Sequence, residues 1–482
     1  MNGRLLMVLT GGSALAVGGA LLMPLFMATR EAQYQVMAFL VPAVLTFSLG
    51  VGLIRGGRGY KERLLVREGA LLMLLIWTLF IIIGMLPYIF AGRLSVFDAF
   101  CESVSGFSTT GLTLLSPYET RPIIFWRSLT QWLGGLNIIM LLVTIMPQMN
   151  SGIAMKIVLP PNMSFGHLLH TMRKMANGVA LVYIVLTGCA FLACYYICGL
   201  NWFDSANLAC VTMATGGCYD SPAVTGFRDS TLEIVITIFM LLSSGNFLLY
   251  WHAARRKSMG DIFRNKEIQA FLVLFLLFGG IISFHLWGKG IYDLASSIRF
   301  GYFEVASFLS TTGFFTTRFP FWPDFDRHLL FILIFVGGCV GSSAGGFKVL
   351  RFLILGKAAL KELQRMLHPH MIIHISIGKY PVPALVVGWV LTFFFLYMAV
   401  FFGFSMLISL EGLGDLQCMG IVASCLGNIG TAALWAENVV NFAALSVPTR
   451  FLCCVLMLLG RIEIFSLLVV MQLFLGRMRR RW

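Results

Sequence analysis

Long apolar runs recur along the whole chain: Leu5 to Ala28, Gln35 to Ile54, Ala70 to Phe90, Ile123 to Met146, Gly178 to Cys198, Leu232 to His252, Ile268 to Leu286, a run from about His328, Val382 to Ile408, and Pro448 to Leu475. Each approaches the ~20 residues that a helix needs to cross ~30 Å of hydrocarbon. They predict about ten transmembrane helices. Of the 482 residues, 58% are hydrophobic and 12% are charged, against about 25% charged in a soluble domain. The expected fold class is an all-α polytopic membrane protein. Leu5 to Ala28 predicts a retained helix, because it exceeds the ~7–15-residue apolar core of a signal peptide and no clear A-x-A site follows. The 11 cysteines fall mostly inside apolar runs without ligand spacing, so they read as small packing residues.

Four short stretches interrupt this pattern. Two are near copies, Ser105-Gly106-Phe107-Ser108-Thr109-Thr110-Gly111 and Ser307-Phe308-Leu309-Ser310-Thr311-Thr312-Gly313. Two are weaker, Thr212-Met213-Ala214-Thr215-Gly216-Gly217 and Ser424-Cys425-Leu426-Gly427-Asn428-Ile429-Gly430. With Gly111, Gly216, Gly313 and Gly430 as anchors, the intervals are similar, the mark of a repeated unit. Each stretch follows a half-apolar segment too short to span: Val96 to Phe107, Trp202 to Met213, Ile298 to Ser310, and Leu413 to Leu426. The predicted organisation is an N-terminal two-helix hairpin (1–67) and four pore repeats (68–150, 151–262, 263–375 and 376–482), each helix, pore loop, helix.

Charge orients the helices. The loops joining one repeat to the next hold Arg55 to Arg67, Lys156 and Arg173, Arg255 to Lys266, and Arg351 to Lys379, and the tail adds Arg477 to Arg481. The loops beside the glycine turns carry mixed charge instead, such as Asp98, Glu119 and Arg121. The basic side is cytoplasmic, which puts both termini inside and lets the turns enter from outside. Topology therefore accounts for the net charge of +14, and nucleic acid is not the expected partner.

Backbone that is neither helix nor sheet survives at membrane depth only where protein buries it or water lines it. Four such turns in symmetric positions should meet on one axis. A ring of carbonyl oxygens can replace the water shell of a cation. Glycine permits the backbone angles that this requires, and a helix C-terminus aims partial negative charge at the ion. The candidate ion-binding residues are Thr109, Thr110 and Gly111; Ala214, Thr215 and Gly216; Thr311, Thr312 and Gly313; and Asn428, Ile429 and Gly430.

Two further features stand out. Gly337 to Gly346 holds five glycines and two serines. Each glycine costs a helix roughly 1 kcal/mol relative to alanine, so this stretch is either a loop or a closely packed small-residue helix. Its candidate gate residues are Gly341, Ser342, Ser343, Ala344, Gly345 and Gly346, with Lys348 as a snorkelling base or part of a barrier. Arg461 lies mid-way along the last apolar run, where a charge costs ~2.5–3.5 kcal/mol. It is expected to project toward the path beneath the turns; the alternative is a structural ion pair. Glu463, two residues on, faces elsewhere on a helix. His368, His370 and His374 read as a solvated or partner-facing surface. No Walker A or nucleophile–base arrangement is present, so the chain is not expected to be an enzyme.

Over residues 1 to 482 the chain resembles the Trk/Ktr/HKT superfamily of potassium transporters, most closely its TrkH-type branch. The Ser-Thr-Thr-Gly turns at 108–111 and 310–313 carry the resemblance, with the Thr-Gly-Gly turn at 215–217. So do the run Gly337 to Lys348, the segment Leu459-Gly460-Arg461-Ile462-Glu463, and Ser244-Gly245-Asn246-Phe247. The extra N-terminal hairpin favours that branch. The resemblance implies K⁺ as the transported ion, a selectivity filter made by the four turns, and an intramembrane loop gating it. It further implies a homodimer, a cytosolic TrkA-type regulator responding to NAD(H) or ATP, and a place in the bacterial inner membrane. Departures are Asn428-Ile429-Gly430-Thr431 where Asn-Asn-x-Gly-Pro is frequent, Cys218 where an aromatic is usual, and Asn137 where glycine is common. The competing mechanism is a K⁺ symporter coupled to H⁺ or Na⁺ by alternating access. It wants a carboxylate deep in a helix, and Glu463 is the one weak candidate.

Overall fold

In the computed structural model, the described residues are 3–59, 66–116, 118–145, 165–217, 229–316, 322–368, 374–378, 380–430 and 442–462. Cys218, Thr431, His370, Glu463 and the basic tail lie outside them. The elements are α1 Gly3–Glu31, α2 Val36–Gly56, α3 Val66–Phe90, α4 Val96–Phe107, α5 Arg121–Ile145, α6 Phe165–Leu192, α7 Trp202–Met213, α8 Ser230–Ser243 and α9 Phe247–Arg256. They continue with α10 Gly260–Arg264, α11 Lys266–Gly288, α12 Leu294–Leu309, α13 Asp324–Val336, α14 Val349–Leu367, α15 Ala384–Ser409, α16 Asp415–Gly427 and α17 Val447–Ile462. A two-stranded hairpin, Ser376–Ile377 with Tyr380–Pro381, precedes α15.

Six of these segments are long and apolar enough to cross a bilayer, and the pair α8–α9 makes a seventh if it is one span. That pair differs from the continuous helix expected over Leu232 to His252, because it bends by 90° at Ser244–Asn246. The cause is local. Asn246 leaves the helical region at φ −82°, ψ 105° and caps the next helix, its side chain accepting from Leu249 N. Tyr250 fills the space that a Cβ on Gly245 would take, and its hydroxyl donates to Leu242 O at 3.2 Å.

The short helices α4, α7, α12 and α16 all end at the polar turns. Three begin at side-chain caps: Ser95, Asn201 and Asp293 accept the backbone N–H of Asp98, Asp204 and Ser296. Gln417 turns back to cap Gly414 N in the fourth. Such caps satisfy N–H groups that a helix leaves without partners.

Packing closes the four units into a ring. Each short helix lies against the long helix before it: α3 with α4, α6 with α7, α11 with α12, α15 with α16. Each also lies against the second long helix of the preceding unit: α5 with α7, α8 with α12, α13 with α16, α17 with α4. The last contact joins the end of the chain to its first unit. Ion pairs mark two junctions, Glu233–Arg299 at 2.8 Å and Arg450–Asp98 at 2.5 Å. Helices α1 and α2 pair and pack outside unit one on α3 and α5. The outward faces of α1, α2 and α15 keep Phe26, Met37, Phe395 and Met406 exposed, as a lipid-facing surface requires.

Candidate functional site

The four turns share one unusual backbone. A threonine or asparagine follows each short helix at positive φ: Thr109 at 54°, Thr215 at 54°, Thr311 at 56° and Asn428 at 53°. A glycine two residues later is also positive: Gly111 at 84°, Gly217 at 61°, Gly313 at 84° and Gly430 at 81°. For a β-branched threonine this region is an outlier, with a cost of order 1–3 kcal/mol that the surroundings must offset. These angles correct the second turn. The residues matching Thr109, Thr110 and Gly111 are Thr215, Gly216 and Gly217, whereas the sequence reading had Ala214, Thr215 and Gly216. Ala214 is the helix C-cap, as Ser108 and Ser310 are.

The turns meet head to tail. A Cβ built on Gly217 would overlap Thr312 O, one on Gly313 would overlap Ile429 O, and one on Gly430 would overlap Thr110 O. The contacts run from unit two to three, three to four and four to one, so units one and three face each other. Only glycine fits at such contacts. Among the described residues, no hydrogen bond is made to the carbonyls of Thr109, Thr110, Thr311, Thr312, Asn428 or Ile429. Side chains do bond within the ring: Ser108 Oγ to Thr110 Oγ1 at 2.7 Å, Ser310 Oγ to Thr312 Oγ1 at 2.6 Å, and Asn428 Nδ2 to Thr110 Oγ1 at 2.9 Å. The threonines and Asn428 are buried.

Residues 337–348 form a non-helical loop between α13 and α14, the loop of the two readings that composition left open. Gly337, Gly341, Gly346 and Lys348 all have positive φ, at 71°, 83°, 73° and 82°. The loop docks into the break of α8–α9, where Cys339 N donates to Ser244 O at 2.8 Å and Phe247 N to Gly341 O at 3.2 Å. Val340 N donates to Glu267 Oε1 at 2.6 Å. Its centre reaches units two, three and four. Ser343 Oγ donates to Met213 O at 2.9 Å, with Ser243 O at 3.2 Å, and Thr215 Oγ1 donates to Ser343 O at 3.2 Å. Gly345 N donates to Thr311 Oγ1 at 2.6 Å, and Gly345 packs on Gly427 O.

Arg461 completes this lashing. It is 5% exposed. Its Nε donates to Ser108 O at 2.6 Å, one terminal nitrogen to Ser343 O at 2.6 Å, and the other to Thr109 Oγ1. Among the described residues its bonds go to neutral oxygens and none to a carboxylate. Lys348 folds back on the loop, with Nζ bonded to Ala344 O and 3.4 Å from Ser342 Oγ. A cavity of about 40 Å³ opens at the loop, with Lys348, Arg351 and Arg461 on its wall and no acid among its lining residues. Ser342, Ser343, Ala344 and Gly345 are buried and Gly341, Gly346 and Lys348 half-buried. His368 and His374 are exposed, remote from this site in the stretch around the hairpin.

Several participants were not singled out in sequence: Gly217 as the second turn's glycine, Ser108, and Glu267. A signal for Gly217 exists. The caps Ser95, Asn201 and Gly414 precede Gly111, Gly217 and Gly430 by equal intervals.

The TrkH family, described as cation transport protein, matches residues 60–476. The chain is 33% identical over 443 residues to the Trk system potassium uptake protein TrkH of Halomonas elongata, covering 90% of this chain and 91% of that one. It is 32% identical to that of Salmonella typhimurium over 98% of both chains. The crystal structure of the potassium transporter TrkH from Vibrio parahaemolyticus superposes with a TM-score of 0.89 at 29% identity, over 98% of each chain.

Proposed function

Because the chain belongs to the TrkH family of cation transport proteins, we propose that it takes up potassium ions across the bacterial inner membrane through a filter made by the four turns. The curated relatives are potassium uptake proteins of the Trk system, and a family of cation transporters is not one of enzymes. The observation that carries the reading is the closed ring of strained turns lashed from one side by the loop 337–348. At each turn the positive–negative–positive φ sequence is suited to turning successive carbonyls toward one axis. The filter residues are then Thr109 to Gly111, Thr215 to Gly217, Thr311 to Gly313 and Asn428 to Gly430. Carbonyls without a protein donor substitute for the water of a cation, and four helix C-termini add negative potential.

The loop and Arg461 act as the barrier. The described state is the closed one. The guanidinium holds the loop against the filter and its charge opposes the next ion, aided by Lys348. A cytosolic partner of TrkA type, acting on a homodimer with both termini cytoplasmic, would shift the loop. The test is rubidium uptake by cells lacking their own potassium transport. Gly313→Ser puts a side chain at φ 84° against Ile429 O; uptake should be lost or become unselective. Unaltered uptake and selectivity would reject the filter assignment.

A further inference from the structure

Two of the four turns, the first and the third, carry a brace built on a buried glutamate of the short helix. Glu102, on α4, is 1% exposed and accepts two bonds from the segment just past Gly111: Thr113 Oγ1 at 2.9 Å on one oxygen and Leu114 N at 2.7 Å on the other. Glu304, on α12, is 0% exposed and does the same for the segment past Gly313, accepting Thr316 N at 2.8 Å and Thr316 Oγ1 at 3.0 Å. Leu114 and Thr316 stand equally far beyond their glycines, so the same peptide N–H is held in both units. At the equivalent helix position units two and four have Leu208 and Ile421. Arg127 stands beside the first brace, donating to Thr113 Oγ1 at 3.3 Å.

We infer that Glu102 and Glu304 are positioning residues for ion selectivity, acting through the filter strands that they tie to the short helices. The inference rests on the filter reading above. A segment leaving a glycine at φ 84° has peptide N–H groups that need partners at membrane depth, and a buried carboxylate is a strong acceptor. In the ring order, units one and three lie across the axis from each other. The two braces therefore fix one diagonal of the filter. Discrimination between cations of different radius depends on that diagonal. The two units so braced are also those with the bridged Ser–Thr hydroxyls, Ser108–Thr110 and Ser310–Thr312.

The experiment uses the full-length protein in liposomes, with tracer rubidium and sodium uptake measured at equal protein. Glu102→Gln sets an amide NH₂ against one of the two donors; the rubidium-to-sodium ratio should fall about tenfold, equivalent to ~1.4 kcal/mol. Thr113→Val should lower the ratio in the same direction, Thr113→Ser should preserve it, and the double variant Glu102→Gln/Thr113→Val should fall no further than Glu102→Gln. Glu304→Leu, copying unit two, should also lower it. A purely structural role would reduce the yield of folded protein and leave the ratio unmoved. If Glu102→Gln is not recovered folded, the Thr113 pair decides. Gly313→Ser runs alongside. Wild-type ratios in the Glu102 and Thr113 variants, with the ratio lost in Gly313→Ser, overturn the brace and leave the filter standing; a wild-type ratio in Gly313→Ser overturns the filter itself.

Discussion

Replacing Arg461 by alanine removes two different restraints, and both can be sized. Its bond to Ser343 O, at 2.6 Å, is a direct tie between the last helix and the loop. A hydrogen bond from a charged group is worth about 1.5–3 kcal/mol. Losing it shifts the closed–open equilibrium of the loop by roughly 10- to 150-fold, at tenfold per 1.4 kcal/mol. The charge is the second restraint. A cation ~5 Å from the guanidinium is opposed by about 3 kcal/mol at an effective dielectric of 20. The two effects have the same sign, so rubidium flux into liposomes should rise at least about tenfold in Arg461→Ala before opening saturates. Arg461→Lys separates them, since it keeps the charge and loses the fork. Low flux in the lysine variant assigns the barrier to charge, and high flux assigns it to the bonds. Wild-type flux in Arg461→Ala refutes the reasoning. The same substitution frees Ser108 O and Thr109 Oγ1 at the base of the first turn, so a loss of selectivity should accompany the gain in flux.

Ser343→Ala removes the hydroxyl bonded to Met213 O; at ~0.5–1.5 kcal/mol for a neutral bond, flux should rise roughly 2- to 12-fold, measured in the same liposomes. Arg299→Met leaves Glu233, whose side chain is 1% exposed, without its partner. The cost should be roughly 2 kcal/mol, below the ~3–5 kcal/mol of a fully buried pair because Arg299 is 33% exposed. It is read as a lower unfolding temperature in detergent. With equal potassium on both sides, current through the opened Arg461→Ala variant should rise continuously with voltage and need no second ion; dependence on H⁺ or Na⁺ would favour coupled symport.

The sequence was most informative where the chemistry is local. The bounds of α4 and α7 followed from where apolar character stops, and the Ser-Thr-Thr-Gly copies were visible because units one and three repeat the same hydroxyls. The second turn was misread by one residue because Gly216 and Gly217 are adjacent, and only backbone angle tells which carries the ring contact. The break at Ser244–Asn246 was hidden in an otherwise apolar run. What the break serves is distant: a loop about a hundred residues later bonds to Ser244 O and to the Phe247 N–H that it leaves open. Arg461 was conspicuous by its cost, yet its partners, Ser108, Thr109 and Ser343, lie far away in the chain. Nothing in the sequence sets Glu102 and Glu304 apart; their partners are in segments 11 or 12 residues further along the chain. Long-range pairing of this kind has no periodic signature.

The central claim is that the four turns bind the transported cation. Diffraction from crystals grown with rubidium or thallium, recorded at the anomalous edge, tests it most directly. The account predicts ion density on the axis within the ring of Gly111, Gly217, Gly313 and Gly430, on the side of the turns away from Arg461. Density confined to other parts of the protein, with that ring empty at saturating ion, would contradict it.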